Sequence, residues 1–174
     1  MIQLRSVTAF AVVLIVAIQA WAQESQSTTW LIVRHADRPG EEDAITPAGE
    51  QRAEQLAQLA KTLRVQAVYS TDFQRTRRTA EPTANALKLD ITTYATLTDE
   101  WFKELKSHHA GQVVLIVGHS NTAGKIVNGL GADGDFLISD DDFDNLFIVT
   151  TSDSQSTAVR LKYGDSHSSQ NQKQ

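Results

Sequence analysis

Residues 31–39, LIVRHADRP, run an apolar stretch into Arg34, His35 and Asp37. A buried strand cannot keep a guanidinium and an imidazole without partners, so this run must stop where a sheet ends and a cleft begins. Two later stretches repeat the pattern. YSTDFQRTRR at 69–78 brings Ser70, Thr71 and Arg75 after a short apolar run, and VGHSNT at 117–122 ends the run VVLIV on His119, Ser120 and Asn121. Two imidazoles beside two or more arginines describe an anion site, because the planar guanidinium fork pairs with two phosphate oxygens at once. Neighbouring cations disfavour the imidazolium, which leaves a ring nitrogen of His35 with its lone pair, free to attack phosphorus. Phosphoryl transfer also needs oxygen-binding cations, here Arg34, Arg75 and His119, and a proton donor for the leaving group. Asp37 is the nearest acid in the sequence.

Strand ends must bring these residues together. Residues 30–33 and 112–117 are apolar on both faces, as buried parallel strands are, and 65–69 reads as another strand. Residues 89–94 suit a strand near an edge, and 146–151 and 157–163 suit a final pair joined by a turn around Asp153 and Ser154. Thr46 and Pro47 open a helix whose Ala53, Leu56, Ala57, Ala60 and Leu63 make one apolar stripe. Ser70, Thr71 and Asp72 read as the capping sequence of a second helix, whose first part Pro82 should kink or end, with Thr83 to Leu87 continuing as a short helical piece. Thr98 caps a third helix, with Asp99 and Glu100 in its first turn and His108 and His109 at its end. Ala123, Ile126, Val127 and Leu130 mark a fourth. Ser139 or Asp140 is expected to cap a short helix in the acidic run that follows, whose spacing does not fit a calcium loop. Strands alternating with helices predict an α/β, three-layer fold with a mostly parallel central sheet and helices on both faces. Ligands of such sheets sit outside the carboxyl ends of the strands, where all three polar clusters fall.

The remaining composition narrows the function. The 174 residues have room for one domain, and the absence of cysteine removes disulfides, thiolate ligands and a cysteine nucleophile. A formal net charge of -5 argues against a nucleic-acid binder. Residues 1–22 read as a secretory signal, with Arg5, an apolar run from Val7 to Ile18 too short to span a bilayer, and the small-x-small sequence Ala20, Trp21, Ala22. An exported, periplasmic protein without a stable membrane anchor follows, with a polar lead at 23–28, a domain at 29–163 and a disordered polar tail at 164–174.

The segments RHAD, ITPAGEQRA, YSTDFQRTRRTAEP and VGHSNT, in that order over residues 29–163, resemble the histidine phosphatase superfamily, also called phosphoglycerate mutase-like. The resemblance implies a phosphatase acting through a phosphohistidine on His35, with Arg34 and Arg75 binding phosphate and His119 as the second pocket histidine. Ser120 and Asn121 would line the pocket. No cofactor or metal is implied. Two departures matter. The usual RHG is RHA here, which a turn accepts if Ala36 keeps a negative φ. The chain is also too short for the long substrate loop that carries the general acid in larger members, which leaves Asp37, or else Glu100, for that role. An open pocket is expected, suited to a phosphoprotein or an extended phosphorylated small molecule rather than to a mutase, which must exclude water. Two other readings compete: a phosphate-binding module without catalysis, and a serine hydrolase using Ser120, since GHSNT is one residue from GxSxG. Arg38 leaves the pocket rim, with a plain surface role as the equal alternative, and Arg77 and Arg78 lie on a solvent face or against Glu81.

Overall fold

The computed structural model describes residues 27–164; the expected signal sequence and all but the first residue of the polar tail lie outside them. The chain runs β1 (Thr28–Arg34), α1 (Pro47–Thr62), β2 (Ala67–Ser70), α2 (Gln74–Leu87), β3 (Ile91–Thr93), α3 (Asp99–His108), β4 (Val113–Gly118), α4 (Ser120–Gly129), β5 (Asn145–Thr151) and β6 (Ser156–Lys162). Six strands form one sheet in the order β3-β2-β4-β1-β5-β6. The first four are parallel, and β5 and β6 are antiparallel additions at one edge. The α/β, mostly parallel architecture expected from the sequence is therefore present.

Alternation along the central strands separates two cores. Trp30, Ile32, Val114 and Ile116 face α3 and α4, packing with Phe102, Leu105, Ile126 and Val127. Leu31, Val33, Leu115 and Val117 face the other way, onto Leu56 and Ala60 of α1 and Ala80 of α2. Both faces of β1 and β4 are thus buried, which is why their sequences are apolar without alternation. Thr46 caps α1 through Gly49 N–H at 3.1 Å, with Pro47 in the first turn.

Register decides where the polar clusters end up. Arg34 pairs with Gly118 and Ser70 with Val117, so β1, β2 and β4 finish at one level of the sheet. The loops that leave them must meet above that rim.

Three local expectations are corrected. The side chains of Ser70, Thr71 and Asp72 do not cap α2, whose N-cap is Phe73. Asp43, from the distant acidic loop, takes that role by accepting the N–H groups of Gln74 at 3.0 Å and Arg75 at 3.1 Å. Pro82 does not end α2, which continues to Leu87. Buried Thr79, Ala80, Thr83 and Ala84 flank it, and that tertiary packing offsets the cost of about 3 kcal/mol for an interior proline. Residues 139–142 form a turn closed by Asp142 N–H to Ser139 carbonyl at 3.0 Å, with no helix, because the carbonyls there serve Arg34.

Candidate active site

Above the rim lies a cleft of about 590 Å³ lined by Arg34, His35, Arg75, His119, Ser120 and Asn121, with Arg38, Glu41, Thr71, Phe73 and Asp140 among the other residues around them. The six expected pocket residues apart from Asp37 are together.

Arg34 ends β1 almost wholly buried, at 2% exposure. Its Nη1 donates to the carbonyls of Ser139 at 3.0 Å and Asp140 at 2.6 Å, and its guanidinium lies 4.0 Å over the Phe143 ring. Nε is buried with no partner, whereas Nη2 is neither hydrogen-bonded nor sealed among the described residues. A bound oxyanion would satisfy such donors.

His35 is held by backbone on both sides. Its N–H donates to Gly118 carbonyl at 2.9 Å, and its Nδ1 lies 2.9 Å from the carbonyl of Ala36. A carbonyl oxygen can only accept, so Nδ1 carries the proton and Nε2 keeps its lone pair. Burial is the main influence lowering the His35 pKa to about 3, reinforced by the charges of Arg34 and Arg75 and by His119. The imidazole is therefore neutral across the physiological range. Ala36 fits the turn, since the positive-φ residues other than glycine are Arg64 and Lys88 among the described residues. Its N–H donates to Thr79 Oγ1 at 2.8 Å, tying the β1 loop to α2. Gly49 lets α1 approach that loop, because a Cβ there would collide with the Asp37 carbonyl oxygen.

His119 is the opposite tautomer. Arg75 Nη2 lies 3.3 Å from its Nδ1, and a guanidinium only donates, so Nδ1 accepts and Nε2–H donates to Thr71 Oγ1 at 2.9 Å. Burial, then Arg75 and Arg34, lowers its pKa to about 4. The two rings stand edge to face with centroids 5.6 Å apart. One presents a free lone pair to the cleft, and the other has both nitrogens engaged.

Arg75 is aimed by Asp43, whose Oδ1 accepts Nη1 at 2.9 Å as well as the Arg75 N–H. Its guanidinium also stacks 4.3 Å over Phe73, and its Nε is buried without a partner. Ser120 Oγ donates to Asp140 Oδ1 at 2.8 Å and touches no imidazole. The serine-hydrolase triad, which needs an imidazole on the serine, is not formed among the described residues.

Asp37 does not join the cleft. Arg52 grips its carboxylate, Nε to Oδ2 at 2.6 Å and Nη2 to Oδ1 at 3.3 Å, and passes Nη1 to the Tyr163 carbonyl at 2.9 Å. The reason is the turn after His35, which sends successive side chains in different directions and puts residue 37 over α1. Asp37 thus ties β1, α1 and the end of β6 together instead of facing a leaving group. Glu100 sits in the first turn of α3, away from the cleft lining. Asp37→Asn should therefore lower unfolding stability by about 2–3 kcal/mol, the scale of breaking a largely buried ion pair. Aryl phosphates with good and poor leaving groups should lose activity equally; a loss confined to poor leaving groups would restore Asp37 as the acid.

Asp43, Thr71, Phe143 and the carbonyls of 139–140 are functional neighbours that sequence reasoning missed. Asp43 lies in an acidic stretch, Glu41 to Asp43, with no apolar pattern, and the capping sequence read at Ser70, Thr71 and Asp72 left it no apparent role. Arg77 and Arg78 pair with Asp72 and Glu50 rather than with Glu81. His109 is more than a helix end, since its Nε2 meets Tyr69 Oη at 2.8 Å and its Nδ1 meets Gln112 Oε1 at 2.7 Å.

Comparison with known proteins agrees with this geometry. The family model "Histidine phosphatase superfamily (branch 1)" matches residues 23–101. The curated "Probable phosphoglycerate mutase GpmB" of Citrobacter koseri is 34% identical over 113 residues, which is 64% of this chain and 51% of that protein. The chain thus spans about half the length of that relative. Among solved structures, the protein histidine phosphatase SixA complexed with tungstate superposes with a TM-score of 0.60 at 19% identity, over 77% of this chain and 96% of the other. Phosphoserine phosphatase from Entamoeba histolytica gives 0.57 at 13% identity, over 78% and 96%. These structures share the fold with this chain. Over residues 23–101 the chain is thus similar to the histidine phosphatase superfamily, and its fold is one that phosphatases of known structure share.

Proposed function

We propose that this protein is a phosphohydrolase that works through a phosphohistidine on His35. The observation that carries the proposal is the tautomer of His35: Nδ1–H is committed to the Ala36 carbonyl, which turns a neutral Nε2 lone pair toward a cleft lined by Arg34 and Arg75. In the first step Nε2 bonds to phosphorus as the bond from phosphorus to the leaving atom breaks, and the electron pair departs with the leaving group. In the second, water attacks phosphorus, the P–Nε2 bond breaks, and inorganic phosphate leaves. Arg34 and Arg75 offer hydrogen bonds to the equatorial oxygens, where charge must be stabilised, and the Nε2–H of His119 can join them only by leaving Thr71.

Asp37 and Glu100 do not line the cleft, and the two carboxylates that do, Glu41 and Asp140, are engaged by Arg38 and Ser120. The site therefore suits leaving groups that depart without a carboxyl donor, namely phosphoramidate nitrogens, which take a proton from solvent, and phenolates. A phosphohistidine side chain belongs to the first class, in keeping with the fold shared with a protein histidine phosphatase. The mouth of the cleft is open, with Glu41 93% exposed on its side chain and Phe73 47% exposed. That openness favours hydrolysis over mutase chemistry, because water can reach the phosphoenzyme. The N-terminal signal features support export to the periplasm as part of the same reading.

The test is a quench experiment with the purified protein and an aryl phosphate in the presence of EDTA. A burst of product followed by steady turnover is expected, with an acid-labile phosphoryl adduct that maps to His35. Phosphate or vanadate binding with neither burst nor turnover would leave a binding module instead.

A further inference from the structure

One cation of the cleft has no part in that chemistry. Arg38 sits on the cleft wall with Arg34, Arg75 and His119. Its side chain is only 18% exposed, so it is lodged against the wall rather than extended into solvent. Its partner, Glu41, is held through a single contact, Nη2 to Oε2 at 2.9 Å, and that carboxylate is 93% exposed. An exposed i,i+3 ion pair of this kind contributes about 0–1 kcal/mol and yields readily to a better anion. Nε and Nη1 of Arg38 make no hydrogen bond among the described residues and are not sealed from solvent.

The other two arginines differ. Arg34 is anchored on the carbonyls of 139–140 and Arg75 on Asp43, each by contacts that fix its plane. They are built to meet one group in one place. Arg38 is near enough for its charge to act on both His119 and Arg34, yet it is tethered only by a solvent-facing carboxylate. The cleft, at about 590 Å³, falls in the range of sites that enclose a whole small ligand, which leaves room beside the phosphoryl group.

We propose that Arg38 is a second anion subsite, which takes a carboxylate or second phosphate on the leaving-group side of the substrate, with Glu41 as the internal carboxylate that this group displaces. The inference rests on the phosphohydrolase reading above and adds the substrate class: phosphoryl compounds that carry a second negative group. A guanidinium released from Glu41 offers two parallel N–H groups to such an anion, the geometry in which arginine binds carboxylate and phosphate best.

The test compares phenyl phosphate with 3-carboxyphenyl phosphate and 3-phosphonophenyl phosphate on the purified protein. Wild type should favour at least one of the doubly anionic esters by about tenfold in kcat/KM, the scale of one charge-assisted hydrogen-bonded contact. Which ester is favoured identifies the second group as carboxylate or phosphate. Arg38→Gln should erase this preference, whatever its effect on phenyl phosphate, while Arg38→Lys keeps part of it and Glu41→Gln strengthens it. A wild type that treats all three esters alike, or an Arg38→Gln protein that keeps the preference, overturns the subsite while the phosphohydrolase reading stands. Failure to hydrolyse any of the three, with no phosphoenzyme formed, overturns both.

Discussion

His35→Ala should lower aryl phosphate turnover by at least about four orders of magnitude, the scale on which enzymes lose activity when a covalent nucleophile is removed. The expectation is large because the cleft has no substitute. Nδ1 of His119 accepts from Arg75 and its Nε2–H is directed to Thr71, so neither nitrogen can attack without breaking the pair that holds the ring. Ser120 Oγ donates to the Asp140 carboxylate and has no imidazole beside it to activate it. The variant should still bind inorganic phosphate, since Arg34 is fixed by backbone carbonyls and Arg75 by Asp43, none of which depends on the imidazole. Steady-state rates, phosphate calorimetry and circular dichroism on one preparation separate these effects. Residual turnover above about one per cent in a folded His35→Ala protein would mean another nucleophile. If Ser120→Ala were the variant that lost activity, that nucleophile would be Ser120.

The second large effect is on stability in mild acid. His35 and His119 have pKa values lowered to about 3 and about 4 in the fold, against 6.5 for an ordinary imidazole. Above pH 6.5 neither the folded nor the unfolded chain protonates these rings, and the full stability is present. As pH falls below 6.5 the unfolded chain binds protons that the folded chain does not, so stability drops, and the drop is complete only when pH reaches the folded values. His35, 2% exposed, would account for roughly 4–5 kcal/mol over its whole window. His119 is half-buried and contributes less because solvent screens it. Carboxylates ordinarily titrate near 3.8, below most of this window, which leaves the fall from pH 6.5 to about 4 to the imidazoles. Urea unfolding at pH 7, 5.5 and 4.5 should show the decline in wild type and a much shallower one in His35→Gln. Parallel declines would show that His35 is not the buried neutral group.

Much of this architecture is legible along the chain. The runs LIV and VVLIV have no alternation because two layers of helix cover both faces of β1 and β4, and local composition alone reports that burial. The caps at Thr46 and Thr98 are also local, each a hydroxyl meeting an N–H three residues later. Strand-end polarity was enough to collect Arg34, His35, Arg75, His119, Ser120 and Asn121, because a sheet with parallel neighbours in register must finish its strands together.

What sequence could not decide was direction. Asp37 is two residues from His35, yet Arg52, fifteen positions away, turns its carboxylate from the cleft toward α1. Asp43 follows Glu41 and Glu42 in a purely polar stretch, and only the packing of its loop against α2 makes it both the helix cap and the brace of Arg75. Pro82 reads as a break or kink between two helical pieces, and the buried threonines and alanines around it carry a single helix through. The sequence alone determined which residues reach the rim, because strand periodicity and polarity are local properties. The tautomer of His35 is set next door, by the Ala36 carbonyl, but the turning of Asp37 from the cleft and the aim of Arg75 were decided by the tertiary structure, because a side chain's direction depends on partners that the chain brings from far away.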